Sequence, residues 1–415
     1  MDNKEIVLKL ENDPDEIASR IKKTEVYLDQ IRGCLMGGAA GDALGYAIEF
    51  DQEAHIFSKY GENGITEYEI DPWNKEAQIS DDTQMTLFTA NGILVGATRS
   101  ALRGVGGPPS FYVQKSYMDW LRTQEMTYHD YKLKKQELKQ NVFSWLLDVP
   151  ALFSRRAPGN TCLSALYAQK KVELDPEKCL KDRMNTSKGC GGVMRVAPMG
   201  LLNFEDKPME WIDRQGAILA AITHGHSLGF MPAAVLVHII YRIIYRNVNP
   251  DTGEKLSLLE IIQDARDTVC KMFENDKHVE ELEDIINHAI TLSTNDLDDL
   301  DNIHALGEGW VAEETLAIAI YCALKYQNDF SAGIIAAVNH KGDSDSTGAV
   351  TGNILGALLG YEAIEDKWKE HLELSDVILE LADDLCHGCQ MSEYNGYNDP
   401  DWTRKYINMS WKEEV

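Results

Sequence analysis

The chain has 415 residues, 44% of them hydrophobic and 26% charged. That balance supports a large core and excludes a disordered polymer. Forty Lys and Arg against 67 Asp and Glu give a net charge of −27, which weighs against DNA or an anionic membrane as partner, since both are gripped by Lys and Arg stripes. Divalent cations, basic partners and simple solubility remain open.

The chain opens MDNKEIVLKLENDPDE, with charges where a secretory signal needs an apolar core. Apolar residues at helical spacing predict helices over 15–44, 83–95, 215–222, 232–245, 257–273, 314–326 and 354–361. Residues 65–70 alternate like a strand, so one short hairpin is expected at most. Breaks fall at 104–109, 157–160, 249–253 and 395–400, and none resembles a long linker. The most apolar stretch, 232–244, is too short to span a bilayer and contains His238 and Arg242. The expected architecture is a single large all-α domain.

Two stretches read as surface additions, 122–140 rich in Lys and Gln, and 276–301 rich in acids. Within the second, residues 296–301 hint at a calcium loop but lack its required Gly and Glu, so a solvated loop is expected. Eight scattered cysteines fit reduced thiols and a cytoplasmic location. Cys386 and Cys389 have redox or zinc spacing without a second ligand pair, and read as inert.

Five constellations could carry chemistry. Ser80-Asp81-Asp82-Thr83 precedes an amphipathic helix, where a cap and first-turn acids are ordinary. Gly342-Asp343-Ser344-Asp345-Ser346-Thr347-Gly348 is harder to explain by capping, which needs one short polar side chain. Alternating Asp and hydroxyls offer hard oxygen ligands suited to Mg²⁺, Mn²⁺ or Ca²⁺. Two such clusters in one helical chain suggest a shared site, with room for two metals. Residues 33–45 are glycine-rich, which permits close helix approach. Ser187-Lys188-Gly189-Cys190-Gly191-Gly192 could turn backbone amides toward a phosphate. His224, in Thr223-His224-Gly225-His226, is either a satisfied core residue or a ligand contact.

In this order the motifs resemble the ADP-ribosylglycohydrolase family, of the dinitrogenase-reductase-activating glycohydrolase type. The resemblance rests on Arg32-Gly33-Cys34 through Gly41-Asp42 and Gly45 to Glu49, on residues 80–85, on 158–161 and 189–195, on Thr223-His224 and on 342–346, and covers about 30–382. It implies an orthogonal multi-helix bundle around a central cleft holding two Mg²⁺ or Mn²⁺ ions. The implied metal ligands are Ser80, Asp81, Asp82, Asp343, Asp345 and Ser346, with Asp345 bridging. Glu49 and Asp119 match acids placed near the scissile bond or the proton transfer, and Asp82 belongs to the same catalytic set. Ser187, Gly189, Gly191 and Gly192 resemble the loop that holds the diphosphate and distal ribose. His224 resembles a ribose- or phosphate-contacting histidine, and Lys188 is expected to pair with a phosphate.

The implied reaction is hydrolysis of an ADP-ribosyl bond on a protein or a small ADP-ribose conjugate. Arginine is the foremost acceptor, and serine, a metabolite or a nucleobase are the alternatives. A different reading is an immunity protein that binds an ADP-ribosyltransferase. The division expected is a helical N-terminal extension over 1–30, the family domain over 31–382 and a tail over 383–415.

Overall fold

A computed structural model describes residues 14–138, 141–172, 174–249, 252–394 and 396–411. Most of the N-terminal extension's first half, Lys139 and Gln140 of the first surface addition, Pro250 and Asp251 of one break, Asn395 of another, and the last four residues of the tail lie outside the described residues.

The helices in the first half are α1 Pro14–Thr24, α2 Leu28–Tyr46, α3 Glu53–Tyr60, α4 Asp81–Arg103, α5 Pro109–Glu125, α6 Tyr128–Leu138 and α7 Asn160–Gln169. The second half holds α8 Met209–Ala221, α9 Ser227–Tyr245, α10 Leu258–Met272, α11 Val279–Leu292, α12 Asp299–Leu306, α13 Ala312–Lys325, α14 Phe330–Val338, α15 Ser344–Leu359, α16 Asp366–Lys369, α17 Ser375–His387 and α18 Pro400–Tyr406. Among the described residues extended pairing is confined to isolated bridges, one of them Ile70–Ala77. The hairpin allowed from the sequence shrinks to that single bridge.

The core is continuous through the bundle. Helix α9 is long and apolar enough to cross a membrane, yet 94% of its most apolar window is buried among the other helices. The helix begins at Ser227 and carries Pro232 inside it, five residues before the start expected at that proline.

Helices α2 and α15 form the axis that positions everything else. Both carry glycine every fourth residue, a spacing that keeps one face of a helix free of side chains. A Cβ on Gly41 would lie 2.0 Å from the Gly348 carbonyl oxygen, and one on Gly37 would lie 2.4 Å from that of Gly352. The backbones are therefore in direct contact, as the glycine-rich reading of 33–45 anticipates.

Two expectations about surface additions are corrected. Residues 276–301 are not decoration: α11 buries Leu282, Ile286 and Ala289 against the core. Asp299 is not a solvated acid either. It accepts from Tyr321 Oη at 2.5 Å, Lys325 Nζ at 2.7 Å and Tyr326 Oη at 2.5 Å. Burial opposes its charge, but these donors outweigh burial and hold its carboxyl below the usual range. In 122–140, α6 likewise anchors itself through buried Tyr131. Polar composition concealed both helices, since a few apolar residues at the right spacing are enough to dock them.

The tail is tied down. Trp402 Nε1 donates to Thr98 Oγ1 at 2.8 Å, and Tyr406 Oη donates to Asp384 Oδ2 at 2.5 Å. All eight cysteines are free thiols, and Cys386 donates to the Thr24 carbonyl at 3.1 Å.

Candidate active site

The site is built from two helix starts and one residue of a third helix. Ser80 is extended and caps α4, its Oγ accepting the Asp82 N–H at 3.1 Å. Asp42 on α2 completes the cap. Its carboxylate accepts the Ser80 N–H at 3.0 Å, the Thr83 N–H at 3.0 Å and the Thr83 hydroxyl. The first amides of α4 are thus satisfied without Asp81 and Asp82, which turn into a cleft. On α15, Asp343 sits at the N-cap but makes no side-chain cap bond. Ordinary capping therefore accounts for Ser80 and leaves Asp81, Asp82, Asp343 and Asp345 unexplained.

The cleft has a volume of about 480 Å³. One wall carries Glu49, Asp81, Asp82, Asp343, Asp345 and Ser346. Carboxylate oxygens of Glu49, Asp343 and Asp345 all lie within 4.8 Å of one another. Asp81 Oδ2 accepts the Gly159 N–H at 3.2 Å, and Ser346 Oγ donates to Asp82 Oδ2 at 2.7 Å. Glu49 is only 7% exposed, and its Oε2 has no hydrogen-bond partner.

Crowding of these acids is electrostatically expensive. Burial first, then the charges of Asp345, Asp81 and Asp42, push the Glu49 carboxyl up to about 9. Burial and Asp345 push Asp42 up to about 7, against the hydrogen bonds from Thr83 and Ser80. Burial, followed by Asp345, raises Asp81, Asp82 and Asp343 well above the carboxylate range. A wall of buried acids with an unpartnered oxygen is the donor chemistry of a hard divalent cation, so the residues present fit such a group.

The same cleft is lined by the glycine loop, with Gly189, Cys190 and Gly191, and by His224. Gly192 is buried behind it, where a Cβ would meet the Gly229 carbonyl oxygen at 2.7 Å. Cys190 Sγ donates to Asp343 Oδ2 at 2.6 Å. His224 shares a 2.8 Å hydrogen bond between Nδ1 and Thr223 Oγ1. Burial, with the nearby Arg195 charge, lowers His224 to about 3, so its imidazole is neutral. Ser187 lies one step back, its Oγ 3.1 Å from Thr161 Oγ1.

Three expected site residues are placed differently from the sequence expectation. Asp119 does not line the cleft. It is 1% exposed on α5, where it accepts the Phe143 N–H at 2.7 Å and Arg122 Nη1 at 3.0 Å. Burial pushes its carboxyl up to about 7, against the Arg122 charge and that loop amide. Lys188 is not free for a phosphate, because Glu313 holds its ammonium. Ser80 is fully buried, and its hydroxyl is occupied by the cap.

Sequence reasoning missed Asp42 as the residue that seats α4, and missed the aromatics Phe50 and Trp310 on the cleft wall. The first had a signal, an acid directly after a glycine of the close-contact face. Phe50 had one too, since it directly follows Glu49, whereas Trp310 had none because it enters from a loop remote in sequence.

Fold and site together define an all-α protein with one cleft lined by buried carboxylates and a glycine loop. The family description ADP-ribosylglycohydrolase matches residues 23–395, and the chain belongs to that family. An uncharacterised protein of Archaeoglobus fulgidus is 25% identical over 361 residues, covering 86% of this chain and 96% of that one. The uncharacterised YegU of Escherichia coli is 23% identical, covering 83% and 92%. ADP-ribosylhydrolase ARH3 of Homo sapiens is 23% identical over 45% of this chain and 54% of its own length. A solved structure titled ADP-ribosylglycohydrolase-related protein complex superposes with a TM-score of 0.55 at 21% identity, over 86% of this chain and 97% of that one. Family membership supports a glycohydrolase acting on ADP-ribose conjugates.

Proposed function

We propose that the protein is a divalent-cation-dependent hydrolase that removes ADP-ribose from ADP-ribosyl-arginine on protein. The observation that carries this reading is the gathering of Glu49, Asp81, Asp82, Asp343, Asp345 and Ser346 in one cleft together with a glycine loop. Asp81, Asp82, Asp343 and Asp345, with the hydroxyl of Ser346, would hold two Mg²⁺ or Mn²⁺ ions. When bound, such ions bind ribose hydroxyls and make a water more acidic near neutral pH.

The chain's own residues do the rest. Gly189 and Gly191 offer their backbone to a diphosphate, and a Cβ on Gly191 would collide with Cys162 Sγ at 2.8 Å and His224 Cε1 at 2.9 Å. His224, being neutral, donates or accepts a hydrogen bond to a ribose without repelling a cation. Glu49 holds or moves a proton at Oε2, between the attacking water and the departing guanidine nitrogen. Water adds at C1″ as the C1″–N bond breaks, and the leaving nitrogen takes the proton. No observation favours the alternative role of binding an ADP-ribosyltransferase.

The test is incubation of the full chain with ADP-ribosyl-arginine protein and Mg²⁺ or Mn²⁺. Free ADP-ribose should appear and a chelator should stop it. Release from serine-linked conjugates alone would replace arginine as acceptor, and no release from any conjugate would overturn the reading.

A further inference from the structure

Phe50 and Trp310 stand on the cleft wall, and the chemistry above does not use them. Phe50 is 70% exposed and Trp310 42%. Their rings are inclined by only 24°, with centroids 6.5 Å apart. Large aromatic faces left to water inside a concave site mark recognition rather than packing.

The two rings reach the cleft from segments 260 residues apart in sequence. Phe50 directly follows Glu49. Trp310 is fixed through backbone to the glycine loop: its carbonyl accepts the Cys190 N–H at 3.3 Å, and the nearby Ala312 N–H donates to the Lys188 carbonyl at 2.9 Å. Trp310 also lines a second cavity of about 500 Å³, beside Glu308, Glu314 and Lys341. That cavity gives space for a ligand larger than ADP-ribose. Beside the rings, Glu49 Oε2 is buried and lacks a partner.

We infer that Phe50 and Trp310 recognise the acceptor: the guanidinium of a modified arginine lies against their ring faces and donates an N–H to Glu49 Oε2. The rest of the polypeptide continues past Trp310 into the second cavity. The inference deepens the proposed function and rests on it for the identity of the conjugate. A guanidinium is flat, cationic and rich in donors, so it matches both the ring faces and the orphaned oxygen. A serine side chain offers no flat face. An adenine would stack on the rings but carries no positive charge to match the Glu49 carboxyl beside them.

The experiment compares wild type, Phe50→Ala, Trp310→Ala, and the conservative Phe50→Tyr and Trp310→Phe. Turnover of an ADP-ribosyl-arginine peptide and an ADP-ribosyl-serine peptide is measured with Mg²⁺, with ADP-ribose as inhibitor. Each Ala variant should lose about 3- to 30-fold in kcat/KM on the arginine peptide, through KM, as expected for one ring–cation contact. The inhibition constant of ADP-ribose should be unchanged, and the Tyr and Phe variants should retain most activity. Equal loss of ADP-ribose inhibition would place the rings under the adenine and overturn the inference. Unchanged kinetics would overturn it as well.

Calorimetric titration of the same arginine peptide and of ADP-ribose separates the two claims. If wild type hydrolyses no conjugate, the proposed reaction falls. The acceptor inference then stands only if wild type binds the arginine peptide more tightly than ADP-ribose and the Ala variants lose that difference. Equal affinity for the two ligands overturns it.

Discussion

Ser346 Oγ donates to Asp82 Oδ2 at 2.7 Å, joining the first turns of α15 and α4 across 264 residues of sequence. The bond holds the acid at a fixed orientation before any cation arrives. Ser346→Ala should weaken Mg²⁺ or Mn²⁺ binding by about 10–100-fold, the usual cost of losing a group that orients a ligand. Calorimetry checks it, and circular dichroism should show the fold intact.

Asp345 is the charge that recurs among the causes raising Asp42, Glu49, Asp81, Asp82 and Asp343. Asp345→Asn removes that repulsion. In chelator at neutral pH the variant should melt higher than wild type, while divalent binding and ADP-ribose release are lost. Thermal melts with and without Mg²⁺ read both effects.

The cation-free protein should lose stability as pH rises. Asp42 binds its proton up to about 7 in the folded chain and Glu49 up to about 9, whereas unfolded carboxyls release theirs near 4. Between about pH 4 and 9 these two carboxyls hold more protons folded than unfolded, which outweighs the opposite effect of neutral His224, and unfolding free energy falls with pH. The melting temperature in chelator should be higher at pH 5 than at pH 8. Added Mg²⁺ should narrow that gap, and its binding should release protons into an unbuffered solution.

Asp119 and Glu49 should behave oppositely. Glu49→Gln should cost about 10²–10⁴-fold in kcat, the range of general acid–base catalysis, with the melting temperature kept or raised. Asp119→Asn should leave kcat/KM close to wild type. It should instead lower stability by about 1–3 kcal/mol, because Arg122 and the Phe143 N–H each use one Asp119 oxygen and an amide NH2 replaces one of them. A large kcat loss in Asp119→Asn would return that residue to the catalytic set.

Gly41→Ala places a methyl 2.0 Å from the Gly348 carbonyl oxygen, an atom that cannot rotate away. The cost should be about 1–3 kcal/mol of overpacking, with α15 displaced. Because Asp343 and Asp345 travel with α15, cation affinity should fall more than stability does. Paired denaturation and cation titrations test this.

The all-α class and the metal-type clusters were legible because short-range chemistry writes them. Asp343, Ser344, Asp345 and Ser346 are adjacent in sequence, and α2's glycines repeat at helical spacing. What the sequence concealed arises from tertiary partners. Asp119 looks like a free acid until Arg122 and the 143–144 turn close on it. Lys188 looks like a phosphate ligand until Glu313, 125 residues away, takes its charge. Helix α11 hid behind its acids because only Leu282, Ile286 and Ala289 face inward.

The glycine contact between α2 and α15 has its own ambiguity. Glycines recur every fourth residue on both helices, so sliding one past the other by a repeat would restore nearly the same fit about 6 Å away. Backbone packing is thus degenerate in register, and it cannot by itself bring Asp42 beside Asp345. Polar pins break the degeneracy: Asn353 Nδ2 donates to the Cys34 carbonyl at 2.8 Å, and Asp42 is seated on the α4 amides. The same carboxylate that closes a helix end acts as the index mark on a sliding scale. Cutting those pins would leave the bundle compact while setting its acids at the wrong graduation.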